Sequence, residues 1–319
     1  MAETILVTGA SGFVGKAVCR QLVREGHTVI GLVRRAGTTI DGVSEWVCEG
    51  NDFENVDEQW PRTLACDSVI HLAARVHVMN ETSVDALPAY RAMNVEGTMR
   101  IARAAQRAGA RRFVFVSSIK ASAECSGGHP ISERDRPTPI DAYGISKLEA
   151  ERSLFEFGRQ CDMEIVVVRP PLVYGPGVRA NFLQLMRAVA RGIPLPLGAI
   201  KARRSIVFVE NLADAIVHCS SDPRAAGQTF HVADEPDPSV AELATMLAEQ
   251  LRAPRRVWPI PPAWLRLAGR MTGRSAQVGR LIGELRLDCS HIRNTLDWHP
   301  PFTVEQGLRE TAAWYRSSH

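Results

Sequence analysis

The sequence has 319 residues, of which 45 % are hydrophobic and 23 % are charged, and its formal net charge is +3. These values are ordinary for a globular protein of two domains or of one large domain. The charge is too small to indicate nucleic-acid binding, although it suits an anionic small ligand. Seven scattered cysteines with no C-x-x-C pair argue against a metal site and a disulfide framework, and they favour a reducing compartment.

Targeting and membrane signals do not stand out in this sequence. The first residues lead directly into a predicted strand, without a charged segment followed by an apolar one. No run of about 18 apolar residues occurs, so we expect no transmembrane segment. The cytoplasm is the expected location.

The first half of the chain alternates short apolar runs with runs of helical periodicity. The apolar runs are continuous, which is typical of strands buried on both faces of a parallel sheet. Strands that alternate with helices indicate βαβ units, and hence an α/β protein with a doubly wound parallel sheet, the Rossmann fold. We predict strands at residues 4–8, 28–33, 68–73, 112–117 and 165–169, and helices at 13–25, 88–108 and 142–157.

Proline and glycine residues between Pro170 and Gly177 end this regular pattern. Residues 1–170 are expected to form a dinucleotide-binding domain, and residues 171–319 mostly a smaller, interleaved α/β substrate domain. Segments near 204–232 are expected to return to the first domain. The later predicted elements are helices at 181–191, 211–220, 240–251 and 304–314, strands near 205–208 and 229–233, and an apolar helix near Trp264.

A glycine-rich loop lies between the first predicted strand and the first predicted helix. Gly9, Gly12 and Gly15 would permit a tight turn, a close approach to a pyrophosphate, and close packing of helix on strand. The free N–H groups at the helix start would bind the phosphates. The loop therefore predicts a dinucleotide site. Its predicted cofactor contacts are Gly9, Ser11, Gly12, Phe13, Val14 and Gly15.

The residues after the second strand bear on the choice of cofactor. NAD sites place an Asp or Glu there for the ribose 2′-hydroxyl, whereas this chain has Arg34 and Arg35, with no acid before Asp41. Two guanidinium groups suit a 2′-phosphate, so NADP(H) is favoured. A solvated basic loop is the alternative, which leaves NAD(H) open. Asp52, after a third strand, is either a hydrogen-bond acceptor for the adenine amino group or a plain loop residue.

Tyr143 and Lys147 lie four residues apart at the start of a predicted helix, which places them on one helix face. A nearby ammonium and an oxidised nicotinamide would favour the tyrosine phenolate, which can exchange a proton with a sugar hydroxyl. Ser118 follows a strand at the edge where doubly wound sheets build their sites. Its hydroxyl would hold the same substrate oxygen. A surface pair on a helix is the alternative for Tyr-x-x-x-Lys by itself.

These motifs together resemble the extended short-chain dehydrogenase/reductases, the NAD-dependent epimerase/dehydratase family. The resemblance implies that Ser118, Tyr143 and Lys147 form the catalytic triad, with Tyr143 and Lys147 also binding the cofactor. It implies that Asn94 orders the nicotinamide side, and that the protein is a homodimer through two helices of the large domain. The motifs, in chain order, are the glycine loop, His71-Leu72-Ala73-Ala74, Asn94, Ser117-Ser118, Tyr143-x-x-x-Lys147, and Arg169-Pro170 through Tyr174-Gly175-Pro176-Gly177; among them Leu72, Ala73, Ala74 and Pro170 are further implied cofactor contacts.

The resemblance also implies substrate contacts. In sugar-nucleotide members, an Asn after the Gly-Pro turn and an Arg on a later strand hold the diphosphate, and Asn181 and Arg204 match these places. A helix cap and a solvated basic run are their alternatives. Ser118, Tyr174 and Arg280 complete the implied substrate set. Farther along, the apolar residues around Trp264 are interpreted as core packing of the small domain, with a membrane or partner surface as the alternative.

The reaction is narrowed by the residues after the catalytic serine. Dehydratases of this family carry an Asp-Glu pair there, whereas this chain has Ile119-Lys120, which disfavours dehydration. A 4-keto reductase and a 4-epimerase remain. Because the arginines favour NADPH, we predict a reductase. The run from Ser118-Ile119-Lys120 through Pro171-Leu172-Val173-Tyr174-Gly175-Pro176-Gly177 resembles bacterial reductases that make UDP-N-acetyl-quinovosamine or its fucosamine epimer for O-antigen synthesis. This resemblance implies that the substrate is a UDP-4-keto-6-deoxy sugar. A 4-epimerase with bound NAD, a non-catalytic NADP-binding protein and a steroid-like or flavonoid-like alcohol dehydrogenase are the alternatives.

Overall fold

The computed structural model describes residues 2–50, 52–76, 86–273 and 275–318, without the side chains of residues 276, 277 and 280. Arg280, one of the predicted substrate residues, therefore has its side chain outside the described part. Among the described residues, no helix has the length and apolar character that crossing a bilayer requires. No group of three or more His, Cys, Asp or Glu side chains in that part could hold a metal ion.

The parallel sheet that the sequence predicts forms the centre of the protein, and the structure shows that it has seven strands. The strand order is β3-β2-β1-β4-β5-β6-β9, with β4 in the middle and the crossover helices on both faces. The strands are β1 (Thr4–Thr8), β2 (Thr28–Val33), β3 (Val43–Val47), β4 (Ser68–His71), β5 (Arg112–Val116), β6 (Glu164–Arg169) and β9 (Thr229–His231).

Alternate residues of each strand serve two separate cores, because successive side chains point to opposite faces of a sheet. In β1, Ile5 and Val7 enter one hydrophobic cluster and Leu6 the other. Helices α1 (Phe13–Arg24) and α7 (Val209–Ser221) contact each other and cover the first face. Helices α4 (Thr98–Arg107) and α5 (Ala142–Cys161) cover the second.

The second half of the chain builds a smaller unit beside this sheet. Strands β7 (Leu172–Tyr174) and β8 (Ile206–Phe208) pair with each other in a separate two-stranded parallel sheet. Of the segment predicted near 204–232, only β9 adds to the large sheet, next to β6. The other α-helices in the described residues are α2 (Val56–Gln59), α3 (Leu87–Arg91), α6 (Ala180–Ala190), α8 (Val240–Gln250), α9 (Pro262–Met271), α10 (Ser275–Ile282), α11 (Ser290–Leu296) and α12 (Val304–Ser318).

Two sequence-based interpretations need correction here. The helix predicted at 88–108 is interrupted by a π-helical segment, Ala92–Gly97. Of the apolar residues around Trp264, Leu265 packs against a small core, but Trp264, Leu267 and Met271 are exposed on α9, so core packing is wrong for these three. Periodicity identified this helix but not the direction that its apolar side chains face.

Candidate active site

The predicted site residues gather at one edge of the large sheet. The strands are parallel, so all their carboxyl ends lie on the same side. The glycine loop follows β1, Arg34 follows β2, Leu72 follows β4, and Pro170 follows β6. Ser118 follows β5 by two residues. The fold therefore brings distant sequence motifs together at the position where doubly wound sheets bind ligands.

The glycine loop leaves no room for larger side chains. Gly9 has a φ of +70°, and a Cβ atom there would lie 3.0 Å from the Ala73 nitrogen. A Cβ at Gly15 would lie 2.1 Å from the Gly9 oxygen, so helix α1 can pack on the loop only with glycine there. Helix α1 begins after Gly12, with no side-chain cap and no acid in its first turn. Its first N–H groups are therefore suited to the phosphates of a dinucleotide, which is the fit that the cofactor requires.

The end of β2 is basic in the structure as well as in the sequence. Arg34 and Arg35 are both exposed there. The nearest acid in the sheet register is Glu45, which β3 places opposite Gly31. Its carboxylate accepts hydrogen bonds from the backbone N–H groups of residues 37–39, at 2.6–2.9 Å. These bonds, with one from the Thr39 hydroxyl, lower the pKa of Glu45 to about 2. The Glu45 carboxylate therefore stabilises the loop of residues 37–39.

A buried network supports the turn that follows β4. His71 is fully buried, and burial lowers its pKa to about 3, so its ring is neutral. The Thr98 hydroxyl donates to the Asn94 carbonyl, so it must accept from His71 Nε2, 3.0 Å away. His71 Nδ1 then accepts from the Thr8 hydroxyl at 2.9 Å, and Thr8 accepts from the Ala73 N–H at 3.2 Å. This chain of bonds fixes the turn of Leu72, Ala73 and Ala74 above the glycine loop.

Asn94 lies inside the π-helical segment and is fully buried. Its side chain accepts from the Arg75 N–H at 2.8 Å and donates to the Arg75 carbonyl at 3.1 Å. It also donates to Ser146 Oγ at 3.0 Å, and Ser146 in turn donates to the Tyr143 carbonyl. Asn94 therefore holds the loop after β4 against the helix that carries Tyr143. These hydrogen bonds order the loop and the helix on either side of Asn94, and its implied part in binding the cofactor stays a prediction.

The Ser118 side chain lies close enough to Tyr143 to affect the pKa of its phenol. Ser118 Oγ also accepts from the Lys120 N–H at 3.3 Å, which fixes its position at the start of a short 3₁₀ turn. Burial raises the pKa of Tyr143 to about 12, against the lowering effect of the Ser118 side chain. The phenolate expected beside an ammonium and an oxidised nicotinamide stays a prediction, because burial favours the phenol in the free protein. Tyr143 is a protonated phenol at neutral pH.

Lys147 lies one helical turn after Tyr143 and is almost fully buried. Its Nζ donates to the Val116 carbonyl at 2.9 Å and lies 4.3 Å from the centre of the Phe115 ring. Burial lowers the pKa of Lys147 to about 7, while the charge of Glu151 acts in the opposite direction. Glu151 is itself buried in an ion pair with Arg169. The ammonium is therefore easily lost in the free protein.

An ion cluster that was not predicted from the sequence lies between the turn after Ser118 and the start of the helix that carries Tyr143. Lys120 Nζ pairs with the Asp141 carboxylate and lies 3.2 Å from Glu124. Asp141 also caps helix α5 by accepting from the Gly144 N–H at 2.7 Å. A Cβ at Gly144 would lie 2.3 Å from the Lys120 oxygen, so the two turns are in close contact. An Asp two residues before Tyr143, at the predicted helix start, is the sequence signal for this cap.

Tyr174 is not a substrate contact, contrary to the prediction. Its side chain is fully buried, and its hydroxyl donates to Asp234 at 2.9 Å. Asp234 also accepts from the Phe208 N–H and the Asn211 side chain, and burial raises its pKa to about 6. The aromatic motif before the Gly-Pro turn therefore joins β7, β8 and α7 in the core.

The two residues predicted to hold a diphosphate remain accessible. Asn181 is exposed in the first turn of α6, where Arg179 occupies the cap position, so Asn181 is not the helix cap. Arg204 is partly buried and donates to the Gly283 carbonyl at 2.9 Å, just after α10. It is thus anchored to the fold rather than part of a solvated basic run.

Asp52, the predicted adenine contact, is partly buried with a φ of +51°, and its carbonyl accepts a hydrogen bond from Arg100.

Comparison with known proteins agrees with this geometry. Residues 5–233 match the profile of the "NAD dependent epimerase/dehydratase family". A UDP-glucose 4-epimerase of Vibrio cholerae is 41 % identical over 98 % of this chain and 95 % of its own. Another from Mycolicibacterium smegmatis is 30 % identical over 98 % of both chains. The structure of a Thermotoga maritima UDP-glucose 4-epimerase with UDP-glucose has a TM-score of 0.80, at 24 % identity over 99 % of both chains.

The fold and the site thus define an NAD(P)-dependent enzyme of the short-chain dehydrogenase/reductase type. The chain belongs to the NAD-dependent epimerase/dehydratase family, the extended branch of that class.

Proposed function

We propose that this enzyme reduces the 4-keto group of a UDP-linked 6-deoxy sugar with NADPH, the cofactor that its arginines favour. The observation that carries the proposal is the basic end of β2. Arg34 and Arg35 are exposed there, while the neighbouring Glu45 is bonded to its own loop. Guanidinium groups at this place favour a 2′-phosphate. The UDP-glucose 4-epimerases that resemble this chain support a UDP-sugar as substrate.

The side chains of the triad can supply the proton that this reduction needs. A nicotinamide bound at this edge of the sheet supplies hydride exchange with carbon 4 of the sugar. Tyr143, whose pKa is raised to about 12, is ready to donate its proton to the oxygen on that carbon. Ser118 donates a hydrogen bond to the same oxygen, and the 3₁₀ turn after it fixes its place. Lys147, when protonated, stabilises the phenolate that Tyr143 leaves behind.

A 4-epimerase is the second candidate, because a relative with 41 % identity over nearly the whole chain is a UDP-glucose 4-epimerase. An epimerase retains its cofactor and uses none up, whereas a reductase must exchange it. The two functions therefore differ in cofactor stoichiometry. The same triad would serve both reactions.

The test offers the purified enzyme both kinds of substrate. With UDP-4-keto-6-deoxy-N-acetylglucosamine, the proposal expects stoichiometric loss of NADPH absorbance, and a slower loss of NADH absorbance. If the enzyme interconverts UDP-hexoses without net cofactor use and does not oxidise NADPH, the reductase proposal is wrong and the enzyme is an epimerase. The Tyr143→Phe variant is the control in both assays, because it should bind cofactor and lose turnover.

We further propose that the enzyme is a homodimer through α4 and α5. A groove of about 620 Å³ lies between these helices, lined by apolar and charged side chains that include Val95, Met99 and Phe157. A second copy would fill it with the same residues in a twofold arrangement. Sedimentation velocity should give twice the monomer mass for the wild type, and the monomer mass for Phe157→Glu. A wild-type monomer would contradict the proposal.

A further inference from the structure

Helix α9 presents an apolar face to solvent. Trp264, Leu267 and Met271 follow one another at helical spacing, and their exposed fractions are 66 %, 49 % and 80 %. The opposite side holds the helix in the fold. Leu265 packs against the small core formed by Leu197, Ile200, Val240 and Ala244. The exposed face is therefore outside the core that anchors the helix.

Close packing fixes the direction in which this face points. Gly269 is buried against α10, where a Cβ atom would lie only 2.8 Å from Val278 Cγ2. Gly269 and Leu265 are four residues apart, on the side of α9 that faces the protein. Rotating the helix to bury Trp264 would expose Leu265 and break the contact at Gly269. The outward face is thus a property of the folded unit.

The surroundings of this face are strongly basic. Arg266 and Arg270 are exposed four residues apart beside the apolar residues, and neither is in an ion pair within the described part of the chain. From residue 251 to residue 283 the sequence contains seven arginines and neither aspartate nor glutamate. Trp258, just before α9, is 55 % exposed. Basic and apolar groups are thus concentrated in the same segment.

This combination favours one kind of partner. Single exposed apolar side chains are ordinary, but Trp, Leu and Met on one face with arginines beside them are typical of helices that lie in a membrane interface. Arginines attract anionic headgroups, while the apolar side chains enter the acyl boundary. A ten-residue helix is about 15 Å long, so it can lie on a bilayer but cannot cross one. We propose that the outward face of α9 docks the enzyme on an anionic phospholipid bilayer.

Vesicle flotation tests this proposal with the full-length enzyme. Wild-type protein should float with vesicles of phosphatidylglycerol and phosphatidylcholine, and remain in solution with phosphatidylcholine alone or at high salt. The Arg266→Gln/Arg270→Gln variant should bind about thirtyfold more weakly, which corresponds to about 2 kcal/mol for two arginines near a charged surface. The Trp264→Ser/Leu267→Ser/Met271→Ser variant should lose binding by at least about tenfold.

Two controls keep the result specific. Val47→Ser replaces a partly exposed apolar residue on β3, the strand at the edge of the large sheet opposite β9, and should bind vesicles like the wild type. All variants should keep the melting temperature and the turnover of a water-soluble sugar nucleotide, because the changed residues are exposed. Vesicle binding that the triple variant retains would overturn the proposal. A wild-type protein that stays in solution with the anionic vesicles would also overturn it. If the triple variant then changes the oligomeric mass, a second copy of the chain covers the face.

Discussion

Lys147 allows the electrostatics of the free site to be tested without any substrate. Burial lowers its pKa from 10.5 to about 7, so between these values the unfolded chain holds one more proton than the folded protein. Stability must then rise with pH across this window, because the folded state binds fewer protons. Between pH 7 and pH 9 the linkage relation gives a gain of about 2 kcal/mol from this one group.

The assay is urea unfolding of the cofactor-free enzyme at several pH values, with wild type and Lys147→Met measured in parallel. The difference between the two proteins isolates Lys147, since the other groups titrate in both. The wild type should gain about 2 kcal/mol on the variant between pH 7 and pH 9. Lys201→Met, at an exposed lysine, should follow the wild type. A wild-type minus Lys147→Met difference that stays constant from pH 7 to pH 9 would refute the reasoning, because the ammonium would then be equally stable in the folded and unfolded states.

Four further variants test the site and its support. Arg34→Ala/Arg35→Ala should raise the KM for NADPH by about tenfold, the low end for lost charge-assisted bonds at an exposed site, and should leave that for NADH unchanged. Gly15→Ala should abolish dinucleotide binding in a fluorescence titration, because its Cβ would lie 2.1 Å from the Gly9 oxygen. Tyr174→Phe should lower the urea-unfolding free energy by about 2 kcal/mol, since a buried carboxylate loses a donor, and should leave substrate KM unchanged; a raised KM alone would restore Tyr174 as a substrate contact. Lys120→Met should lower kcat and shift the kcat profile to higher pH, because the Asp141 charge, which raises the pKa of Tyr143, loses its cation; Lys120→Arg should restore the profile.

The large sheet and the core of the site could be predicted because their signals are local. Continuous apolar runs identify strands that are buried on both faces, and β1, β2, β5 and β6 lie within a residue of the predicted bounds. The glycine loop could be predicted from the spacing of Gly9, Gly12 and Gly15 alone, because these residues contact one another in the structure. Tyr143 and Lys147 share a helix, so four residues of sequence suffice to place them on one face.

Other features depend on partners that are far apart in the chain. Tyr174 is adjacent to a Gly-Pro turn that resembles a ligand loop. Its hydroxyl nevertheless donates a hydrogen bond to Asp234, 60 residues later in the chain. The direction of α9 depends on Val278, which fills the space beside Gly269. A helical pattern indicates an apolar face, but it does not say whether the protein has another surface to cover that face.

The pKa values of Tyr143 and Lys147 have the same physical origin. Lys147 is almost fully buried and Tyr143 is partly buried, and burial favours the neutral form of each: the phenol keeps its proton, and the ammonium tends to release one. For Tyr143 to give up its proton, the phenolate that it leaves behind needs a cation beside it. Lys147 can supply that cation only while it is protonated, and burial lowers its pKa to about 7. Proton donation by Tyr143 is therefore best supported at a pH below the lowered pKa of Lys147, where both groups hold their protons.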